Sequence, residues 1–388
     1  MSAPDVCLIA PYPPIGQAHH DGTSGVASYS ANLARALRDD GADVHVVAPV
    51  GDADRRPRDE DDDGIRVRRC FRRRPGGLRR AAAEALRSGA PVAHLQFELF
   101  LYGGPGAVAG VVPALAALRR GRTKAVVTMH QAVDPGAVDR AYTRLHRVPA
   151  PAPVARAGIA GVQLAIAGAA SAVVVHEEPF ADIVPGAVVV PHGIEPLPPT
   201  DRAEARRRLG LDDRFVALCF GFVAPYKGIE TALEAARLAG PDVHCVVAGG
   251  EHPRLAAAQD HYADGLRAAH PEARFTGWVP GDDVAPWFRA ADVALFPYPR
   301  PFSSSGALAL ALAAGTPSLL SAPLGRCVGA PSQLVAPTAE HLAARLRELA
   351  SSPGALEQVA AATAALAEGR AWDAVARAHL DLYRGLQP

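Results

Sequence analysis

The sequence predicts an α/β protein of two domains, each built on a parallel sheet with helical crossovers. Three observations carry this. Short β-branched runs alternate with alanine- and leucine-rich helical patterns, the signature of parallel sheets crossed by helices. The chain has 388 residues, beyond the usual ceiling for one hydrophobic core. The alternation also repeats on either side of "PHGIEPLPPTDRAEARRRLG", where Pro191, Pro196, Pro198 and Pro199 suit an extended linker.

The elements follow in order. In the first half "VCLIA" (6–10), "DVHVVAP" (43–49), "IRVRRC" (65–70), "PVAHLQF" (91–97), "KAVVTMH" (124–130) and "AVVVH" (172–176) read as strands. In the second half "RFVALCF" (214–220), "VHCVVAGG" (243–250), "ARFTGWV" (273–279), "VALFPY" (293–298) and "PSLLS" (317–321) repeat the plan. A helix begins near Ser24 and Gly25, with Val26, Tyr29, Leu33 and Leu37 as its buried stripe and Gly41 closing it. Another opens at Gly228 and turns Ile229, Leu233, Ala236 and Leu238 to the core. The pattern "AWDAVARAHLDLYRGL" (371–386) follows two helices with no strand between, so it is not a crossover. A helix packing back on the first domain accounts for it. The expected organisation is 1–196, 197–370 and this C-terminal helix, 371–388.

Composition narrows the function. Lys+Arg and Asp+Glu balance at 40 each, so the molecule has no net field to gather nucleic acid. Five cysteines without C-x-x-C spacing argue against a disulfide framework or zinc site and for a reducing cytoplasm. "MSAPDVCLIA" lacks the basic start and long apolar core of a signal peptide. No uninterrupted apolar run is long enough to cross a bilayer. One island, "DEDDDG" (59–64) followed by "IRVRRCFRRRPGGLRR", reads as a charged edge strand with a solvated loop or as a basic patch for an anionic acceptor or membrane surface.

Ligands of open α/β sheets sit beyond the carboxyl ends of the strands. There the first half offers Gly25 at a helix start, His94 and Glu98 around the fourth strand end, and His130 after the fifth. Glu177 and Glu178 read as serving the next helix start. In the second half Lys227 immediately precedes a helix, a good position for a phosphate ligand. The stretch "PFSSSGALALALAAGTPSLLS" (301–321) opens on serines and runs on without a charge. A helix apolar on every face is buried, so its unpaired N-terminal amides, at Ser304, Ser305 and Gly306, are its route to an anion. Two helix starts and one lysine suit a diphosphate.

Taken together, "SGVASYSANLARAL", "HLQFELFLYGG", "VVTMHQ", "VVPHGIE", "GFVAPYKGIETALEAA", "FTGWVPGDDVAPWFRAADVALFPY" and "SSSGALALALAAGTPSLLS" resemble, in order and spacing, the retaining GT-B glycosyltransferases of family 4. The resemblance covers nearly the whole chain. It implies two Rossmann-like domains facing across a deep cleft, and retaining transfer of a sugar from a UDP- or GDP-linked donor to an acceptor hydroxyl or amine. No D-x-D-like metal motif stands at a strand end, so the diphosphate charge is expected to be met by protein with no metal and no cofactor, and peripheral membrane contact stays open. Lys227 matches the lysine on the donor diphosphate, shared with Gly25, Ser304, Ser305 and Gly306. His130 matches the histidine beside the transferred sugar, so His130 and Lys227 are the catalytic candidates. Gly249, Val279 and Tyr298 are the nucleoside candidates; His94, Glu98, His130, Phe302 and Ser303 are those for sugar and acceptor. Phe222 stands where many members have arginine, and Phe302 and Leu310 where many have glutamates. Other enzymes on this fold, such as nucleotide-sugar epimerases or enzymes joining non-sugar rings, and non-catalytic nucleotide-binding partners remain alternatives.

Overall fold

A computed structural model describes residues 3–16, 25–51, 56–99, 101–145, 148, 150–194, 197–251, 255, 261–301 and 303–387. The chain forms two units, residues 1–193 with 302–304 and 369–388, and residues 194–301 with 305–368.

The first unit is built on eight strands: β1 (Val6–Ile9), β2 (Val44–Pro49), β3 (Arg58–Asp62), β4 (Ile65–Phe71), β5 (Val92–Phe97), β6 (Lys124–Met129), β7 (Ala172–Val175) and β8 (Val188–Val189), in the order β3-β4-β2-β1-β5-β6-β7-β8. β1 pairs in parallel with both β2 and β5, and its four residues, like all six of β5, are buried. Burial on both faces is why these runs read as continuously apolar. The polar exceptions in β5, His94 and Gln96, are buried too and must find partners inside.

β3 is the charged edge, antiparallel to β4. Its acids face arginines: Arg68 pairs with Asp59 at 2.5 Å and Arg69 with Glu60 at 2.6 Å. Charges on an edge strand oppose further strand addition. Buried Arg69 also donates to the carbonyls of Tyr12 and Pro13, which ties down the segment after β1.

The helices of this unit include α1 (Gly25–Asp39), α2 (Gly77–Ser88), α3 (Val111–Arg120) and α4 (Ala152–Ala169). α1 buries Val26, Tyr29, Leu33 and Leu37. Within α4, Ala155, Ile159, Gln163 and Ile166 are buried while Val154 and Leu164 stay exposed. By length and composition alone it would also suffice to cross a membrane, but Arg156 and Gln163 interrupt it, so it is not an uninterrupted apolar run.

The second unit has strands β9 (Phe215–Phe220), β10 (Val243–Ala248), β11 (Arg274–Gly277), β12 (Val293–Phe296) and β13 (Ser318–Leu320), all parallel, in the order β11-β10-β9-β12-β13. Its helices include α5 (Ile229–Ala239), α6 (Gly281–Ala290), α7 (Gly306–Ala314), α8 (Ala339–Ser351) and α9 (Pro353–Ala367). α7 is the uncharged helix after the serines. Every residue of it beyond Gly306 is at least half-buried, as a helix apolar on all faces requires. Ser305 caps it by accepting from the Leu308 amide, and Gly315 ends it in the left-handed region.

The chain then returns to the first unit as α10 (Trp372–Leu386), which packs on α1. Val375, Ala376, Leu380 and Tyr383 join Leu33 and Leu37 in one core cluster.

Candidate functional site

In the second unit, β9 ends at Phe220 and the chain turns through Gly221 to Lys227. Gly228 follows at φ +63°, and a Cβ there would lie 2.1 Å from the Pro297 carbonyl oxygen, so only glycine lets this turn press against the end of β12. Lys227 Nζ donates to the Tyr298 hydroxyl at 2.5 Å and lies 4.6 Å from that ring's centroid. The same hydroxyl meets Ser305 Oγ at 3.0 Å. Ser321 in turn donates to the Tyr298 carbonyl, fixing the backbone that carries the ring. Lysine, tyrosine and the capped mouth of α7 thus form one hydrogen-bonded group. Burial lowers the Lys227 pKa, so an arriving anion strengthens the charged form.

Beside them Gly249 lies so near Gly221 that a Cβ would sit 2.0 Å from the Gly221 oxygen. Val279 is buried, whereas Trp278 is 56% exposed, its ring centroid 6.4 Å from that of Phe222.

In the first unit His130 follows β6 and is held on both sides: Nε2 meets Gln96 Oε1 at 2.9 Å and Nδ1 meets His176 Nε2 at 3.2 Å. The Tyr29 ring packs edge-on, its centroid 4.6 Å away. Burial, then the neighbouring imidazoles, hold the His130 and His176 pKa values well below the ordinary histidine value. The next residue, Gln131, is 6% exposed; its Oε1 has no hydrogen-bond partner among the described residues, and its backbone bridges to Ser303. Glu177, 5% exposed, receives both guanidinium nitrogens of Arg370 at 3.1 and 3.0 Å and the Ser304 hydroxyl at 3.0 Å.

At the carboxyl ends of β2 and β4 in the same unit, Val50, Phe71 and the start of α2 line a cavity of about 230 Å³ together with Arg56, Arg72, Arg74 and Arg80. No acidic residue lines it among the described residues. The α2 start has no side-chain cap and no acid in its first turn.

The sequence candidates fall as follows. Lys227, Tyr298 and Ser305 come together, with Gly306 opening the same helix. Tyr298, expected at the nucleoside, sits instead with the diphosphate candidates. Gly25 is exposed at the first residue of α1. Glu98 is half-buried and Ser303 exposed; Phe302 lies outside the described residues. His94 requires correction: it is 0% exposed, with Nδ1 on Tyr383 at 2.6 Å and Nε2 on Thr128 at 2.7 Å. A histidine satisfied inside the core cannot bind sugar or acceptor. Glu177 does not cap the helix that follows it; it holds Arg370 and Ser304. Sequence reasoning also missed Gln96, His176, Gln131 and Trp278, whose partners or exposure follow only from tertiary packing.

Comparison with known proteins identifies the family and the fold. The Glycosyltransferase Family 4 model matches residues 23–198 and the Glycosyl transferases group 1 model matches residues 214–352. The chain belongs to the family 4 glycosyltransferases, of GT-B type. It is 36% identical over 146 residues to a D-inositol 3-phosphate glycosyltransferase of Mycolicibacterium gilvum, a match covering 36% of this chain and 32% of that protein. The chain thus spans about a third of the curated relative it matches. Among solved structures it resembles sucrose-phosphate synthase from Thermosynechococcus elongatus (TM-score 0.73, 21% identity, 98% of each chain). It also resembles Anabaena HepE in complex with UDP-glucose (TM-score 0.70, 14% identity, 98% of this chain and 100% of that one).

Proposed function

We propose that the protein moves a sugar from a UDP- or GDP-linked donor to an acceptor hydroxyl, with retention at the anomeric carbon and without a metal ion. The observation that carries this is the group of Lys227, Tyr298 and Ser305 at the mouth of α7. As the bond from the anomeric carbon to the diphosphate breaks, charge collects on the leaving oxygen. An ammonium and helix amides already aimed there stabilise the transition state more than the ground state. The acceptor oxygen bonds the same face, and its proton passes to the leaving phosphate. Trp278, exposed beside Val279, offers a ring on which the base stacks. The family resemblance assigns His130 to the transferred sugar, and Gln131 Oε1, buried without a partner among the described residues, is an acceptor suited to a sugar hydroxyl.

A specific observation favours a phosphorylated acceptor. Four arginines line the cavity at the ends of β2 and β4, at the same carboxyl end of the sheet as His130 after β6, with β1 and β5 between them. Guanidinium groups are the side chains best shaped for phosphate oxygens. The printed names of two relatives, a D-inositol 3-phosphate glycosyltransferase and a sucrose-phosphate synthase, point the same way.

The test is to incubate the protein with UDP- and GDP-sugars and with sugar or polyol acceptors carrying or lacking phosphate, following nucleoside diphosphate release. Release that depends on a phosphorylated acceptor is expected. An epimerase would alter the sugar without release, and a pure binder would show affinity without turnover. Arg74→Ala with Arg80→Ala should raise the acceptor KM at least about tenfold, the scale of one lost charged contact, and leave donor KM alone. An unchanged acceptor KM rejects the phosphate subsite.

A further inference from the structure

Hydrogen bonds string three buried histidines together through Gln96. His176 Nδ1 meets the Val190 carbonyl at 3.0 Å, and its Nε2 meets His130 Nδ1 at 3.2 Å. His130 Nε2 meets the Gln96 amide at 2.9 Å, the other amide atom meets His94 Nε2 at 3.2 Å, and His94 Nδ1 meets the Tyr383 hydroxyl at 2.6 Å. Each link needs one donor and one acceptor, and a neutral imidazole has one of each.

The Val190 carbonyl can only accept, so His176 carries its hydrogen on Nδ1 and, when neutral, accepts at Nε2. His130 must then donate from Nδ1 and accept at Nε2. Opposite that Nε2 only the amide nitrogen of Gln96 serves, which puts the amide oxygen toward His94. His94 donates from Nε2, to that oxygen and to Thr128 Oγ1, and accepts at Nδ1 from Tyr383. With the amide turned by half a rotation, its oxygen meeting His130 at 2.9 Å, His130 donates from Nε2 instead. His176 must then donate from both nitrogens, so the pair holds one more proton. Both arrangements satisfy every link. They differ by one proton and by the direction of the bonds from His176 to Tyr383.

We propose that Gln96 is a positioning residue that fixes the tautomer of His130, and that its amide turns over when the His130–His176 pair takes up a proton. The inference rests on the reading of His130 as the group beside the transferred sugar. The groups around the pair are Tyr29 from α1, His94 from β5, His192 after β8 and His379 from α10, with the Glu177–Arg370 ion pair adjoining His176 in sequence. Burial holds all the imidazoles below the ordinary value, which favours the uncharged arrangement at neutral pH, with the amide turned from the orientation in which its oxygen meets His130. In it both His130 nitrogens are committed to the protein, and the ring acts through its position rather than by exchanging a proton.

Long-range proton–nitrogen correlation spectra of the full-length protein labelled with ¹⁵N-histidine test this, beside the pH profile of kcat. The parent at pH 8 should show His130 protonated on Nδ1 alone. In Gln96→Glu the carboxylate can only accept, so His130 should carry its hydrogen on Nε2, and proton uptake should move about one to three pH units higher, the effect of a nearby opposite charge. Gln96→Leu should give mixed tautomers and a kcat about tenfold lower, the lower end of what losing an orienting partner costs a functional histidine, with donor KM within about twofold. A parent His130 protonated on Nε2 beside a neutral His176 overturns the proposal, even should neither variant fold. So does a Gln96→Glu variant with unmoved tautomer and titration. A protein with the expected tautomers but no transfer refutes the role of His130 at the sugar and leaves the tautomer assignment standing.

Discussion

Lys227→Ala should lower kcat by two orders of magnitude or more while leaving secondary structure and melting temperature close to the parent's. The lysine sits in the turn between β9 and α5, a turn fixed by Gly228 against the Pro297 carbonyl rather than by the lysine's own stem. Removing the stem therefore spares the fold. What disappears is a cation hydrogen-bonded to Tyr298 at the mouth of α7. A donor preorganised toward developing charge contributes about 3–4 kcal/mol to the barrier difference, and the loss should fall on kcat more than on donor KM. Steady-state kinetics with circular dichroism on the same samples checks it. Near-normal kcat would move the diphosphate elsewhere.

Arg370→Ala should have the largest effect on stability. Glu177 is 5% exposed and the Arg370 side chain 12% exposed, and the guanidinium meets both carboxylate oxygens at 3.0–3.1 Å. Removing the arginine strands a buried negative charge, which costs about 3–5 kcal/mol and lowers the melting transition by roughly 10 °C in a unit of this size. The double variant Arg370→Ala with Glu177→Gln should melt above the single one, since the neutral amide still accepts from Ser304 and leaves no charge behind. Scanning calorimetry of parent, single and double variants distinguishes the cases. A shift within about 1 °C for Arg370→Ala would mean that Glu177 is solvated or neutral.

Much of the fold was legible because parallel strands buried on both faces leave β-branched runs that need no context. β3 was harder: an edge strand of acids carries no apolar period, and only the arginines of β4 explain why "RDEDD" is extended. The two-residue β8 is too short to leave a pattern. The candidate site was legible where a polar residue stands between a strand end and a helix start, as Lys227 and Ser305 do. It was not legible where function depends on distant partners. His94 looks like a ligand in sequence and is a core residue satisfied by Tyr383, 289 positions away. Glu177 looks like a helix-start acid and is the partner of Arg370, 193 positions away. Gln96 reads as one more polar residue in a strand until its amide is seen between two imidazoles.

The claim that a donor diphosphate is received by the backbone amides of α7 can be tested at Gly306. It is the first residue of the helix, is exposed, and no atom lies within 4 Å of where its Cβ would be. Proline is favoured at that position and keeps the helix while removing one amide hydrogen; Ser305, already extended at φ −86° and ψ 107°, tolerates a following proline. Alanine keeps the hydrogen. Calorimetric titration of UDP and GDP into Gly306→Pro and Gly306→Ala, beside the parent, should show one nucleotide bound by parent and alanine variant alike. The proline variant, with an unchanged melting temperature, should bind it at least about tenfold more weakly, the loss of one hydrogen bond to a charged group. A folded proline variant that binds as tightly as the alanine variant would contradict the account.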